Sequence, residues 1–213
     1  RNHRNEIDNL KRGGSDYTAS LIGAAIKAQE IQIWTDIDGM HNNDPRIVKK
    51  TLPISELTFD EASELAYFGA KILHPSTILP AQKFGIPVWL KNTMDEKAAG
   101  TLISDKSPRG EFKAVAAKDG ITAIRIKSSR MLLAYGFMRK IFEIFEKYRT
   151  PIDMVTTSEI AVSVTIDDPK NLDKILHELG DLGTIETDTQ QTIICIVGNM
   201  LTENEGVLNQ VFT

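Results

Sequence analysis

The 213-residue chain carries 25 Lys and Arg against 29 Asp and Glu, a formal charge of −4, and is 41% hydrophobic. It has enough apolar content for a packed core, and no basic run or stripe that would follow a phosphate backbone, which argues against nucleic acid as a partner. The longest apolar stretches, such as Ile193 to Val197, fall far short of the roughly 20 residues that cross a bilayer. Cys195 is the single cysteine and reads as a buried strand residue; no intrachain disulfide or cysteine metal site is available, as expected of a cytoplasmic protein.

The polar start, Arg1 to Glu6, has neither an initiator Met nor the apolar core of a secretory signal, and reads as a cut inside a longer gene product. Arg12-Gly13-Gly14-Ser15-Asp16 precedes an Ala-rich helix over about Tyr17 to Ala28, capped by Ser15 or Asp16. Ile31 to Trp34 reads as a strand that ends at Thr35-Asp36-Ile37-Asp38-Gly39. A loop from His41 to Arg46 follows, then a helix over about Phe59 to Gly69 with Asp60, Glu61 and Glu64 in its first turns. Residues Lys71 to Phe84 alternate turn and helical signals before a short strand, Ile86 to Leu90. The Gly-, Lys- and Asp-rich stretch from Asp95 to Gly110 is the expected domain boundary. Beyond it the pattern predicts strands Phe112 to Ala117 and Ile121 to Lys127, a helix over about Gly136 to Tyr148, strands Ile152 to Thr157 and Ile160 to Ile166, a helix near Asn171 to Leu179, and strands Thr184 to Asp188 and Thr192 to Val197. A last helix is expected after Asn199. Ile121 to Asp188 completes the ferredoxin-like βαββαβ order once, and the final strand and helix begin a second copy.

Each chemical motif has two readings. Paired glycines before a capped helix are a plain turn; equally, glycines let a backbone approach phosphate, a helix N-terminus favours anions, and Arg12 can grip a carboxylate. The Gly-Lys-Ser/Thr ending of a Walker loop is absent. Asp36 and Asp38 serve a turn, or, lying past a strand's carboxyl end, a nucleotide or its Mg²⁺. Lys71 alone is a solvated lysine and His74 a loop or core histidine.

Taken together, Arg12 to Ala19, Trp34 to Gly39, Asp44-Pro45-Arg46 and Glu64 to Pro75 resemble, in order and spacing, the aspartate kinase family of the amino acid kinase fold. The resemblance covers nearly the whole chain. It implies a partial three-layer αβα kinase sheet over residues 1–105, an α+β ACT regulatory domain of ferredoxin-like order over 111–190, and the start of a second over 191–213. It further implies transfer of the ATP γ-phosphoryl group, with Mg²⁺, to the side-chain carboxylate of L-aspartate, the first step toward lysine, threonine and methionine. On the family pattern Arg12 holds a substrate carboxylate, and Ser15 and Asp16 organise the reacting groups. Thr35, Asp36, His41, Arg46, Lys71 and Ile72 bind the nucleotide, His41 standing where the family often carries an aromatic residue; no protein metal site is expected. The family's N-terminal Lys-Phe-Gly-Gly-Thr-Ser signature and substrate-binding Glu do not occur in these residues, so the expectation is that the piece alone does not turn over.

Ser129 to Met138 and Ile152 to Glu159 are similar to the first ACT domain of aspartate kinases; the bland reading is an apolar helix in a plain ferredoxin-like fold. Backbone N–H groups at Gly136 suit an α-carboxylate and Asp153 an ammonium, with Ser158 and Glu159 adding polar contacts. With Met131, Ala134 and Met138 these form the expected effector set. The family's sites lie between paired ACT domains, often across a homodimer. Lysine is the first expected effector and threonine the alternative, because lysine-sensitive members commonly carry His and Ser where this chain has Leu133 and Ala134. Rival readings are another amino acid or nucleotide kinase of the same fold, and a non-catalytic amino-acid-binding module.

Overall fold

The structure is a computed structural model describing Asn5 and residues 13–69, 73–108, 112–131 and 135–198. Contacts divide the chain into two units, one holding residues 1–117 and 194–213, the other residues 118–193. Both divisions fall inside long strands, β5 (Phe112–Lys127) and β8 (Thr184–Gly198), later than the Gly-rich stretch that composition singled out.

The first unit is built on helix α1 (Gly14–Ala25), strands β1 (Ile31–Thr35) and β2 (Glu56–Thr58), helices α2 (Phe59–Phe68) and α3 (Leu79–Lys83), and strands β3 (Val88–Asn92) and β4 (Thr101–Ser104). The sheet order is β1-β3-β4-β2, with β1 parallel to β3, β3 antiparallel to β4, and β4 parallel to β2. Alternation puts Ile31, Ile33, Val88, Leu90, Ile103 and Leu57 on one face, where they join Ala24, Phe59, Ala62, Leu65, Ile78 and Ala81 in a single core. On the other face Lys91 Nζ lies 5.7 and 5.5 Å from the ring centres of Trp34 and Trp89.

Three local expectations change. Helix α1 starts at Gly14 after a left-handed Gly13 with no side-chain cap, not under Ser15 or Asp16, and it ends at Ala25. Thr101–Ser104, inside the supposed boundary, is an interior strand: four residues carry too little periodicity to stand out beside Gly100 and Lys106. The strands expected on either side of Asp119-Gly120 are one, because Gly120 takes φ +77 and the strand continues through it.

The second unit has α4 (Phe137–Lys147), β6 (Met154–Thr157), β7 (Ala161–Ile166) and α5 (Leu172–Gly180), with the rest of β5 and β8. Its sheet order, β6-β7-β5-β8, is the ferredoxin-like arrangement. Ile124, Ile126, Val162, Val164 and Ile166 pack under Phe137, Ile141 and Phe145 of α4 and Ile175 and Leu179 of α5, each contributing about 2 kcal/mol by burial. The strands expected at Thr184 and Thr192 are also one, β8, bending where Gln190 has φ +57. Cys195 lies in that strand and is half-buried; burial first, then the Glu64 carboxylate, pushes its thiol pKa up. The helix expected after Asn199 lies outside the described residues. No described helix is long and apolar enough to cross a membrane.

Candidate functional site

The candidate site of the first unit is organised by how α1 returns to the sheet. The link from Ala25 to Ile31 is short, so α1 runs back along β1, and Gly23 packs so closely on Ile31 that an added Cβ would fall 2.6 Å from Cγ1. Twelve helical residues and five strand residues span about the same 16–18 Å. The N-terminus of α1 therefore comes back to the sheet edge where β1 ends at Thr35. Gly13 there has φ +73, and a Cβ on it would lie 2.7 Å from His74 Cβ and 3.1 Å from Thr77 Cγ2. The glycine pair and the His74-Pro75 segment, 61 residues apart in the chain, are thus one local structure.

Ser15 donates to the Asp16 carboxylate at 3.1 Å, and among the described residues no side chain caps the first turn, whose N–H groups suit an anion. At the strand end Thr35 donates to the Asp36 carboxylate at 3.0 Å and its carbonyl accepts from Thr93 N at 2.8 Å, joining the parallel ends of β1 and β3. The following loop is fixed by His41, whose Nε2 lies 2.6 Å from Asp38 Oδ1 and Nδ1 2.8 Å from Thr51 Oγ1. His41 is only 9% exposed, so it is a loop organiser before it is a ligand contact. Arg46 is exposed and gripped by Asp44 in a two-pronged pair, Nε to Oδ1 at 2.9 Å and Nη2 to Oδ2 at 2.5 Å. The Asp44 carboxylate, chiefly by its hydrogen bonds, raises the guanidinium pKa.

Sequence reading missed Thr101. Buried at the start of β4, its hydroxyl donates to Ile54 O at 2.7 Å and accepts from Met40 N at 2.8 Å, tying the loop after β1 and the segment before β2 to the start of β4. Gly39 at φ +121 allows that approach. Only the Asp38-Gly39 turn hinted at it. The N–H groups at the start of α1 and the Thr35 hydroxyl suit a phosphate group, and the Asp16 and Asp36 carboxylates, which accept hydrogen bonds, suit a Mg²⁺ carried by it. Among the described residues no group of three or more His, Cys, Asp or Glu side chains is arranged to hold a metal ion unaided. Arg12, Lys71 and Ile72 lie outside the described residues.

In the second unit the expected effector residues fall into two groups. Gly136 starts α4 at φ +78, without a side-chain cap and, among the described residues, with nothing within 4 Å of where a Cβ would stand. It follows Met131 beyond the end of β5, and there Ser128 N donates to Ile160 O, next to Ser158 and Glu159. Met138 packs on the core. Asp153 sits at the opposite end of β6, about 16 Å from Ser158 along five residue steps that take in the four residues of the strand. Its carboxylate is 1% exposed and paired with Lys118 Nζ at 3.0 Å, and Lys118 also meets Asp167 at 2.8 Å. Ala134, like Leu133, lies outside the described residues.

Comparison with known proteins follows this division. Residues 2–92 match the Amino acid kinase family, the class that the first unit's sheet and edge define. The chain is 40% identical to aspartokinase 1, chloroplastic, of Arabidopsis thaliana over 205 residues, covering 91% of this chain and 36% of that protein. It is similar to the crystal structure of Escherichia coli aspartokinase III in complex with aspartate and ADP, with 38% identity and a TM-score of 0.83, covering 95% of this chain and 47% of that one. The same enzyme with lysine and aspartate gives 37% identity and a TM-score of 0.80, over 94% of this chain and 47% of that one. The chain belongs to the aspartokinase family, of which it spans between a third and a half of the relatives' length.

Proposed function

We propose that this chain is part of an aspartate kinase that uses ATP and Mg²⁺ to convert L-aspartate to 4-phospho-L-aspartate and is regulated by an amino acid at its second unit. The feature that carries the kinase reading is the start of α1 behind a left-handed Gly13, in a helix that packs back on β1 through Gly23 and Ile31, with Thr35 and Asp36 at the end of that strand. The likeness to a protein crystallised with aspartate and ADP supports it. Phosphoryl transfer is mostly positioning and charge stabilisation. In this reading Arg12 grips the substrate carboxylate, Ser15 and Asp16 organise the reacting groups, and Thr35 and Asp36 contact the nucleotide. His41, Arg46, Lys71 and Ile72 complete its pocket, with Lys71 near the phosphates. Mg²⁺ bound with ATP supplies charge neutralisation of the phosphates. The 213 residues alone, without the Lys-Phe-Gly-Gly-Thr-Ser signature, are proposed not to turn over.

Lysine is the proposed effector, supported by the relative that binds it, with threonine second. The division of the effector set argues for a homodimer. Strand β6 is a sheet edge, exposed along its length, with Met154 and Val155 more than 40% accessible. Antiparallel pairing with a second copy about a two-fold axis between Val155 and Thr156 would set Asp153 of one copy opposite Ser158 of the other, reuniting the two groups. A cytoplasmic or organellar location is equally compatible with this chemistry.

Calorimetric titration tests the sensor. Saturable L-lysine binding that disappears in Asp153→Ala is expected; L-threonine binding instead renames the effector, and binding of neither sinks the sensing reading. For catalysis, Asp16→Asn in the parent polypeptide should lower kcat on aspartate about 100-fold; full activity would remove Asp16 from the mechanism.

A further inference from the structure

We propose that Lys118 is a built-in occupant of the effector's ammonium subsite, and that an amino-acid effector binds by replacing Lys118 at Asp153 while Lys118 falls back on Asp167. This rests on the amino-acid-sensing reading above. Three strands bring the parts together: Lys118 lies on β5, Asp153 immediately before β6 and Asp167 immediately after β7. Asp153 is anchored by its own N–H, which donates to Thr165 O at 2.8 Å. Its carboxylate is 1% exposed, so it requires a cation in the folded unit. Lys118 is 19% exposed and also holds Asp167, whose side chain is 40% exposed.

One ammonium thus bridges a buried carboxylate and a surface one. Burial opposes its charge, but the hydrogen bonds it donates to the Asp167 and Asp153 carboxylates outweigh that and raise its pKa, so Lys118 is a cation at neutral pH. An ammonium offers three donors on a flexible stem. A ligand ammonium presents the same charge and the same donors, so exchange never leaves Asp153 uncompensated, and Asp167 keeps the displaced Lys118 paired at the surface. Effector affinity is then set by competition with a tethered group, and apparent affinity falls by the fraction of molecules in which Lys118 holds the subsite.

The test is calorimetric titration of the whole chain with L-lysine, comparing the wild type with Lys118→Met and Asp167→Asn. Removing the competitor while keeping its aliphatic stem should tighten binding about tenfold. Removing the fall-back partner should weaken it, the opposite sign. Lys118→Met binding no tighter than wild type would overturn the proposal, as would an Asp167→Asn variant that binds as well as wild type; the latter, altered at a surface carboxylate, reads out even where Lys118→Met folds poorly. Independently of any effector, butylammonium chloride should raise the melting temperature of Lys118→Met saturably above the value in sodium chloride of equal ionic strength, and should not do so in Lys118→Met/Asp153→Asn. Absence of that rescue also overturns the proposal. Wild type that binds no amino acid, with the amine rescue intact, would reject the sensing reading and retain the ammonium subsite.

Discussion

Helices α1 and α2 of the first unit begin in opposite ways. Helix α2 is sealed: Thr58 Oγ1 accepts from Glu61 N at 3.1 Å, Glu61 Oε2 accepts from Thr58 N at 2.7 Å, and the same oxygen takes a hydrogen bond from Lys113 Nζ at 2.9 Å. Helix α1 is open, entered through a left-handed glycine that provides no side-chain cap. The second unit repeats the open form at Gly136. A sealed start serves the fold, because its donors are already satisfied and further negative charge gains nothing there. An open start leaves donors and a positive dipole end for a ligand anion, and both open glycine starts lie within the candidate sites.

The sharpest way to break this contrast is Glu61→Ala, which strands a buried Lys113 and should cost about 3 kcal/mol in urea unfolding; an effect under about 1 kcal/mol would mean the sealed start is not structural. Gly13→Ala comes next, at about 2 kcal/mol, since it combines a left-handed backbone with the clash on His74. It should also abolish MgADP binding in calorimetry. Gly136→Ala carries the backbone strain without the clash and should cost about 1 kcal/mol, so equal melting temperatures for the two glycine variants would refute the packing argument. Thr58→Ala should lose about 1 kcal/mol and leave nucleotide binding untouched. The smallest effect concerns Glu178, whose carboxylate pKa is lowered first by Lys147 and then by Tyr148. A lowered carboxylate stabilises the fold above its ordinary value of 4.5 and loses that contribution as pH falls through the folded value. The melting-temperature gap between wild type and Glu178→Gln should therefore close in acid and persist at neutral pH.

Much of the second unit was legible because its periodicities are long. Phe137, Ile141 and Phe145 recur at helical spacing and are all buried on α4, and alternating Val162, Val164 and Ile166 fill the core beneath. The first unit was harder. Strand β2 has three residues and β4 has four, so neither carries a readable pattern, and β4 is recognisable as a strand only from the partners on either side of it. Thr101, which fixes the loop after β1, carries no local signal because both of its partners lie more than 45 residues away.

Motif order carried the family, and local pattern carried the longer elements and the candidate chemistry at Arg12 to Asp16, at Thr35-Asp36 and at Asp153, because side-chain chemistry and hydrophobic period are properties of neighbouring residues. Tertiary structure alone decided which of these residues meet. The packing of Gly13 on His74, the sealing of α2 by Lys113, the separation of Asp153 from Ser158 by the length of β6, and the bridge from Lys118 to Asp153 and Asp167 all depend on sheet register and chain reversal. Register is set by which faces bury apolar area across the whole sheet, a sum over distant residues that no local segment contains.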